Sequence, residues 1–159
     1  MIQRIQSLYL LLAMIILSTL FFFPVASFNL RGAEVMMEIT GFAGDFEFTQ
    51  ITYWFPLLVV VNAVLILMLA FIIISFKDRK RQLKWCNLAL LINVLFLIFL
   101  FFGMDLLSKK LEPDSVQAGN IVRYLWPTYM PVLSLLMILL AMRGVKNDEK
   151  RVRSSDRLR

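Results

Sequence analysis

Among the polar side chains within the long apolar runs of this sequence are Asn62, Asn93, Thr128 and Ser134. Amides and hydroxyls exchange hydrogen bonds and carry no charge to gain or lose near neutral pH. Buried in apolar surroundings, each needs a partner, because an unbonded polar group there costs free energy. Their chemistry is recognition: bonds across helices, or the lining of a path for a substrate or ion. The first use is the more economical reading, at about 0.6 kcal/mol per interhelical bond. Heights were counted from the ends of the apolar runs nearest the basic clusters, at about 1.5 Å per residue. Asn62 and Thr128 then lie about 21 and 22 Å up, and Asn93 and Ser134 about 13 Å up. The expectation is two polar layers, Asn93 with Ser134 and Asn62 with Thr128, with the two asparagines not facing one another.

The ionisable residues avoid the middles of these runs. Proton-coupled carriers usually place an acid or base there, so that mechanism is disfavoured, while a passive channel stays open. Asp105 stands at a boundary and is expected to pair with Lys109 or Arg123. Glu34, Glu38, Asp45 and Glu47 have the oxygen ligands calcium prefers but no known loop spacing, and read as a solvated strand face. Cys86 is the only cysteine and reads as a small packing residue; histidine is absent. That removes His-based triads, His-ligated haem and the usual zinc sites. No catalytic residue, metal or cofactor is expected, and the chain is expected not to be an enzyme.

The elements that must position these residues follow from composition. Of 159 residues 60% are hydrophobic, with 14 Phe and 9 Met. Soluble domains run at about 45–50% apolar, so the excess belongs in lipid. The net charge is +6, but no nucleic-acid motif accompanies it, and membrane orientation and anionic lipid account for it. Lys77, Arg79, Lys80, Arg81 and Lys84 sit between two apolar runs, and Arg151, Arg153, Arg157 and Arg159 lie in the tail. Loops rich in Lys and Arg stay in the cytoplasm.

The first apolar run, from Leu8, contains Ser18 and Thr19 and meets Pro24. Val25-Ala26-Ser27 would serve as a signal-peptide cut site. Counted on to Phe28, the run reaches a full membrane span, and an uncleaved helix over about 8–28 is the expectation. In Asn29–Thr52, Val35, Met37 and Ile39 alternate with Met36, Glu38 and Thr40. Phe46, Phe48 and Gln50 follow the same period beyond Gly41-Phe42-Ala43-Gly44. This predicts a small β-hairpin or, as the alternative, an amphipathic segment at the interface. Further spans are predicted over about 53–76, 83–107 and 124–142, with Tyr53, Trp54, Tyr124, Trp126 and Tyr129 as interfacial aromatics. Pro131 is placed to kink the last span. Asn147 is placed to cap a short separate helix in the tail.

The fold class is therefore an all-α membrane protein: a four-helix transmembrane bundle over 1–145, a small extracytoplasmic hairpin between helices 1 and 2, and a basic cytoplasmic tail over 146–159. Thirteen of the 17 Lys and Arg fall on one side of this arrangement and four on the other. That places both termini in the cytoplasm.

Two terminal motifs add a resemblance. Met1-Ile2-Gln3-Arg4-Ile5-Gln6-Ser7-Leu8-Tyr9-Leu10 opens the chain, and Asp148-Glu149-Lys150-Arg151-Val152-Arg153-Ser154-Ser155-Asp156-Arg157-Leu158-Arg159 closes it. Both resemble a family of small four-helix membrane proteins of Bacteroidetes-type bacteria, catalogued as a domain of unknown function. The resemblance covers essentially the whole chain. It implies the inner membrane of a Gram-negative cell, and no activity, substrate or catalytic residue. The expected function is contact with membrane lipids and with a protein partner or a second copy, not with nucleic acid. The alternative is a small transporter or channel subunit for a lipid or apolar solute.

Overall fold

The computed structural model describes residues 3–30, 33–43, 54–75, 78–111 and 122–156. Four helices dominate it: α1 (Gln3–Ser18), α2 (Trp54–Ile74), α3 (Arg79–Leu111) and α4 (Met130–Asp156). Each packs on its neighbours in chain order, and α4 closes the ring on α1 along the most extensive seam. Three helices are long and apolar enough to cross a membrane by length and composition; α1 is shorter. A four-stranded antiparallel sheet covers one end, and the basic residues at the start of α3 mark the other. These are called the sheet end and the basic end below.

The first helix does not run over 8–28. It begins at Gln3, leaves α geometry at Ser18 and tightens into a 3-10 turn at Thr19–Phe21. Ser18 Oγ donates to Met14 O at 2.9 Å and Thr19 Oγ1 to Ile16 O at 2.7 Å, and such back-bonding competes with the helix ladder. Pro24 has no N–H to continue it. The apolar residues beyond form strand β1 (Ala26–Leu30) instead.

β1 is the partner that hydropathy hid. It pairs with β2 (Ala33–Glu38), Phe28 opposite Val35 and Asn29 opposite Glu34. β2 turns at Ile39–Thr40 into β3 (Gly41–Phe42), and β4 (Val122–Tyr124) joins the far side of β1. The hairpin is thus part of a larger sheet with order β3-β2-β1-β4. The expected strand over Phe46, Phe48 and Gln50 lies outside the described residues. The alternation of β2 is as read: Val35, Met37 and Ile39 are buried while Met36 and Thr40 are exposed. The buried face meets the start of α2, where Phe42 stands edge-on to Phe28 and to Phe55.

Three other boundaries move. α3 starts at Arg79 because Asp78 caps it, its carboxylate accepting from Arg81 N–H at 3.1 Å. Much of the basic loop is therefore the first turn of a helix. α4 starts at Met130, after β4 and a 3-10 turn at Trp126–Tyr129. Pro131 then falls in its first turn, where a missing N–H costs little and no kink is required. At the other end α4 runs on to Asp156 without a break. Asn147 is interior to it and caps nothing, and the boundary expected at 145/146 falls inside one helix.

Candidate functional site

Among the described residues, the buried polar side chains are Gln6, Ser27, Asn62, Gln82, Asn93, Thr128 and Ser134, and none of them is charged. The outward faces carry Leu8, Ile15, Leu67, Ile74, Leu91, Ile98, Phe102 and Leu136, each at least half exposed. Apolar side chains cover the outside as well as filling the core, unlike a water-soluble bundle.

The inner amides lie in levels. Gln82 Nε2 donates to Ile72 O at 3.5 Å, which sets α3 against the last turn of α2. Gln6 packs against Gly144 at the same end, so close that a Cβ on Gly144 would fall 2.8 Å from Gln6 Cγ. From this basic level the next inward polar groups stand about 15–17 Å up on all four helices: the Leu17 carbonyl on α1, Asn62 on α2, Asn93 on α3 and Ser134 on α4. Asn62 and Asn93 therefore share a height. The expectation that they stand at different depths is corrected: Gln82 sits against the end of α2, so the heights of the two helices have a different common origin.

Asn93 Nδ2 donates to Ser134 Oγ at 2.8 Å and to Pro131 O at 3.4 Å; Ser134 Oγ in turn donates to Pro131 O at 2.9 Å. This is the pair that counting along the helices gives. The other expected pair is absent. Asn62 Nδ2 donates to Leu17 O at 3.2 Å, in the last turn of α1, where carbonyls run out of helical donors. Thr128 Oγ1 donates to Val25 O, which also accepts from Leu125 N–H at 3.0 Å. Thr128 thus ties the start of α4 to the chain between α1 and β1. Both partners of the misassigned pair are backbone carbonyls at element ends, which side-chain reasoning does not search. Each asparagine leaves its Oδ1 buried and without a donor among the described residues.

Between the two levels the interior is closed by apolar groups: Leu10, Ala13, Leu65, Leu69, Ala89 and Ile138 are fully buried. The polar levels do not join into a continuous path. At the sheet end, Asp105 takes Lys109 as its partner at 2.7 Å. Tyr124 lies near it, and burial first, then the Asp105 carboxylate, pushes its hydroxyl pKa up. Glu38 accepts from Thr40 Oγ1 at 3.1 Å, and Glu34 from Ser27 Oγ at 3.5 Å. Asp45 and Glu47 lie outside the described residues, among which no group of three metal-ligating side chains occurs. Cys86 is buried in α3.

Of the basic residues, Arg81 is exposed and pairs with Asp78 at 3.4 Å, and Lys84 is exposed. Arg79 and Lys80 open α3, and Arg151 and Arg153 fall near the end of α4. Lys77, Arg157 and Arg159 lie outside the described residues. Sequence reasoning missed Gln6, Gln82 and the Asp78 cap. The signal was present: a glutamine next to an apolar run, and an aspartate just ahead of the helix start.

A family model matches residues 2–158, described as a domain of unknown function (DUF4293). The chain belongs to that family. No curated protein matches it. Family membership brings no activity with it, so the arrangement itself must carry the functional reading: uncharged amides that join helices, an apolar exterior and cations gathered at one end.

Proposed function

We propose that the chain is an integral protein of a bacterial inner membrane, with four crossing helices and both termini in the cytoplasm. It acts through protein or lipid contacts and performs no chemistry of its own. The observation that carries this reading is the apolar exterior of the bundle. Exposed apolar side chains surround it between the level of Lys84 and Arg143 and the level of the sheet. On that scale, α1 with its 3-10 turn and Pro24-Val25 reaches β1, which supports a crossing despite the shortness of the helix. The core contributions of Leu10, Ala13, Leu17 and Leu20 support retention of α1 in the folded protein.

Arg79, Lys80 and Arg81 stand in the first turn of α3, the helix end whose dipole disfavours cations by about 0.3–1 kcal/mol each, and Lys84 follows in the next turn. Their placement weakens the helix and serves something outside it. An anionic lipid surface on the cytoplasmic side, worth about 1 kcal/mol per basic residue, offsets that cost. The extension of α4 beyond Val145 and the sheet are the surfaces offered to a protein partner or a second copy.

The alternative, a small transporter or channel subunit for a lipid or apolar solute, draws on one observation: the two asparagine Oδ1 atoms left without donors at one height. The apolar stretch of about 15 Å below them favours the contact reading. Affinity purification of the full chain from native membranes in mild detergent separates the two. A partner at fixed stoichiometry, lost on deletion of residues 147–159 while the bundle stays folded, supports contact. A lone chain carrying a retained small molecule supports transport and contradicts it.

A further inference from the structure

α2 and α3 do not close on one another toward the sheet end. Between them runs a groove of about 420 Å³, lined by Leu57 and Val61 of α2 and by Ile92, Ile98, Phe99 and Phe102 of α3, among others. It opens outward: Leu57, Ile98 and Phe102 are 48%, 59% and 62% exposed. Trp54 stacks on Phe99, with ring centroids 4.9 Å apart, beside its sheet end. From Ile92 to Phe102 the groove is about 15 Å long. Its lining is apolar throughout, which suits a hydrocarbon chain, and the charges beyond its sheet end distinguish a lipid from a helix of a partner or a second copy.

Seven-residue spacing places Leu95, Phe102 and Lys109 on one stripe of α3. The stripe therefore leads out of the groove to Lys109, about 10 Å past Phe102. There the ammonium of Lys109 meets the Asp105 carboxylate at 2.7 Å, both side chains more than half exposed. An exposed pair of this kind contributes at most about 1 kcal/mol by itself. Both charges remain open to another partner.

We propose that this groove seats one acyl chain of a phospholipid from the leaflet on the sheet side. Its zwitterionic headgroup lies across Asp105 and Lys109, phosphate toward the lysine and ammonium toward the aspartate. An anionic headgroup satisfies Lys109 alone and meets repulsion from Asp105. This deepens the contact reading, naming a lipid class for it, and rests on the membrane placement proposed above.

The test uses Trp54 as the reporter. The full chain with Trp85→Phe and Trp126→Phe is reconstituted in vesicles of unlabelled lipid. Phosphatidylethanolamine or phosphatidylglycerol with brominated chains is then titrated in, and quenching of Trp54 is read. The expected result is a preference for phosphatidylethanolamine of about fivefold, the effect of one well-placed charge at a membrane surface. Asp105→Asn removes the preference, and Leu57→Phe with Ile98→Phe, both at exposed positions, reduces quenching by either lipid. Equal quenching by both lipids, unchanged in these variants, identifies ordinary boundary lipid and overturns the proposal while leaving the membrane placement intact. No quenching by either lipid overturns both.

Discussion

Two seams of the same bundle are built in opposite ways. The seam of α1 and α4 includes small residues: Ala13 and Ala141 are fully buried, and Gly144 lets Gln6 approach. Along α2 and α3 they are aromatic: Trp54 stacks on Phe99 at one end, Phe71 meets Trp85 edge-on at 5.4 Å near the other, and a groove lies toward the sheet. The asparagines strengthen neither seam. Asn62 ties α2 to α1, and Asn93 ties α3 to α4. Amide bonds thus join two helix pairs, small residues lock the pairs together on one side, and aromatic rings hold them apart on the other. The open α2–α3 seam is the side to which the lipid proposal assigns its occupant.

The sharpest way to break this comparison is to crowd the closed seam. Gly144→Leu should lower unfolding stability in detergent by about 1–3 kcal/mol, the usual cost of overpacking. Added bulk at the open seam, as in Leu57→Phe, should stay within about 0.5 kcal/mol. Equal losses at both sites would show that the two seams are packed alike. The next largest effect is in the amide ties. A double-mutant cycle of Asn93→Ala with Ser134→Ala should give a coupling of about 0.6 kcal/mol, and Asn62→Ala with Thr128→Val should give none. Coupling between Asn62 and Thr128 would restore the pairing that the structure does not show.

The smallest expected effect is a pH dependence at the sheet end. Tyr124 has a raised folded pKa, so its protonated form is favoured in the folded state. Its contribution to stability is fully present below the unfolded value of 10.0 and is lost as pH rises through the folded one. Tyr124→Phe should flatten that alkaline limb slightly in unfolding curves taken above about pH 10. An unchanged limb would place the titration elsewhere.

The long apolar helices were legible because hydropathy needs no partner to be read. α2, α3 and most of α4 follow from it, and so does the Asn93–Ser134 pair, since both residues sit on helices of regular rise. The end of α1 was not legible. Val25, Ala26 and Phe28 continue an apolar run in composition, yet Ala26 and Phe28 lie in a strand buried against the bundle, and a buried strand reads like a buried helix over so few residues. Its pairing with Val122–Tyr124 joins segments nearly a hundred positions apart, which no local pattern carries. Asn62 was misassigned for a related reason. Its partner is the carbonyl of Leu17, exposed by the way α1 ends, so an error in that helix end became an error in the site. A separate tail helix follows from Asn147 as a cap residue, but a cap residue and a run of charge do not stop a helix already under way, and no Pro follows to do so.

Membrane placement is the claim on which the rest depends, and a cysteine accessibility map tests it most directly. With Cys86→Ala as background, single cysteines replace Glu34, Lys84, Arg123 and Asn147, all exposed positions. Intact spheroplasts are then treated with a membrane-impermeant maleimide. Glu34 and Arg123 belong to one sheet, in strands on either side of β1, and should both label from outside. Lys84 and Asn147 should label only after permeabilisation. If Lys84 and Asn147 label from opposite sides, or if all four label in intact cells, the four-crossing account is contradicted.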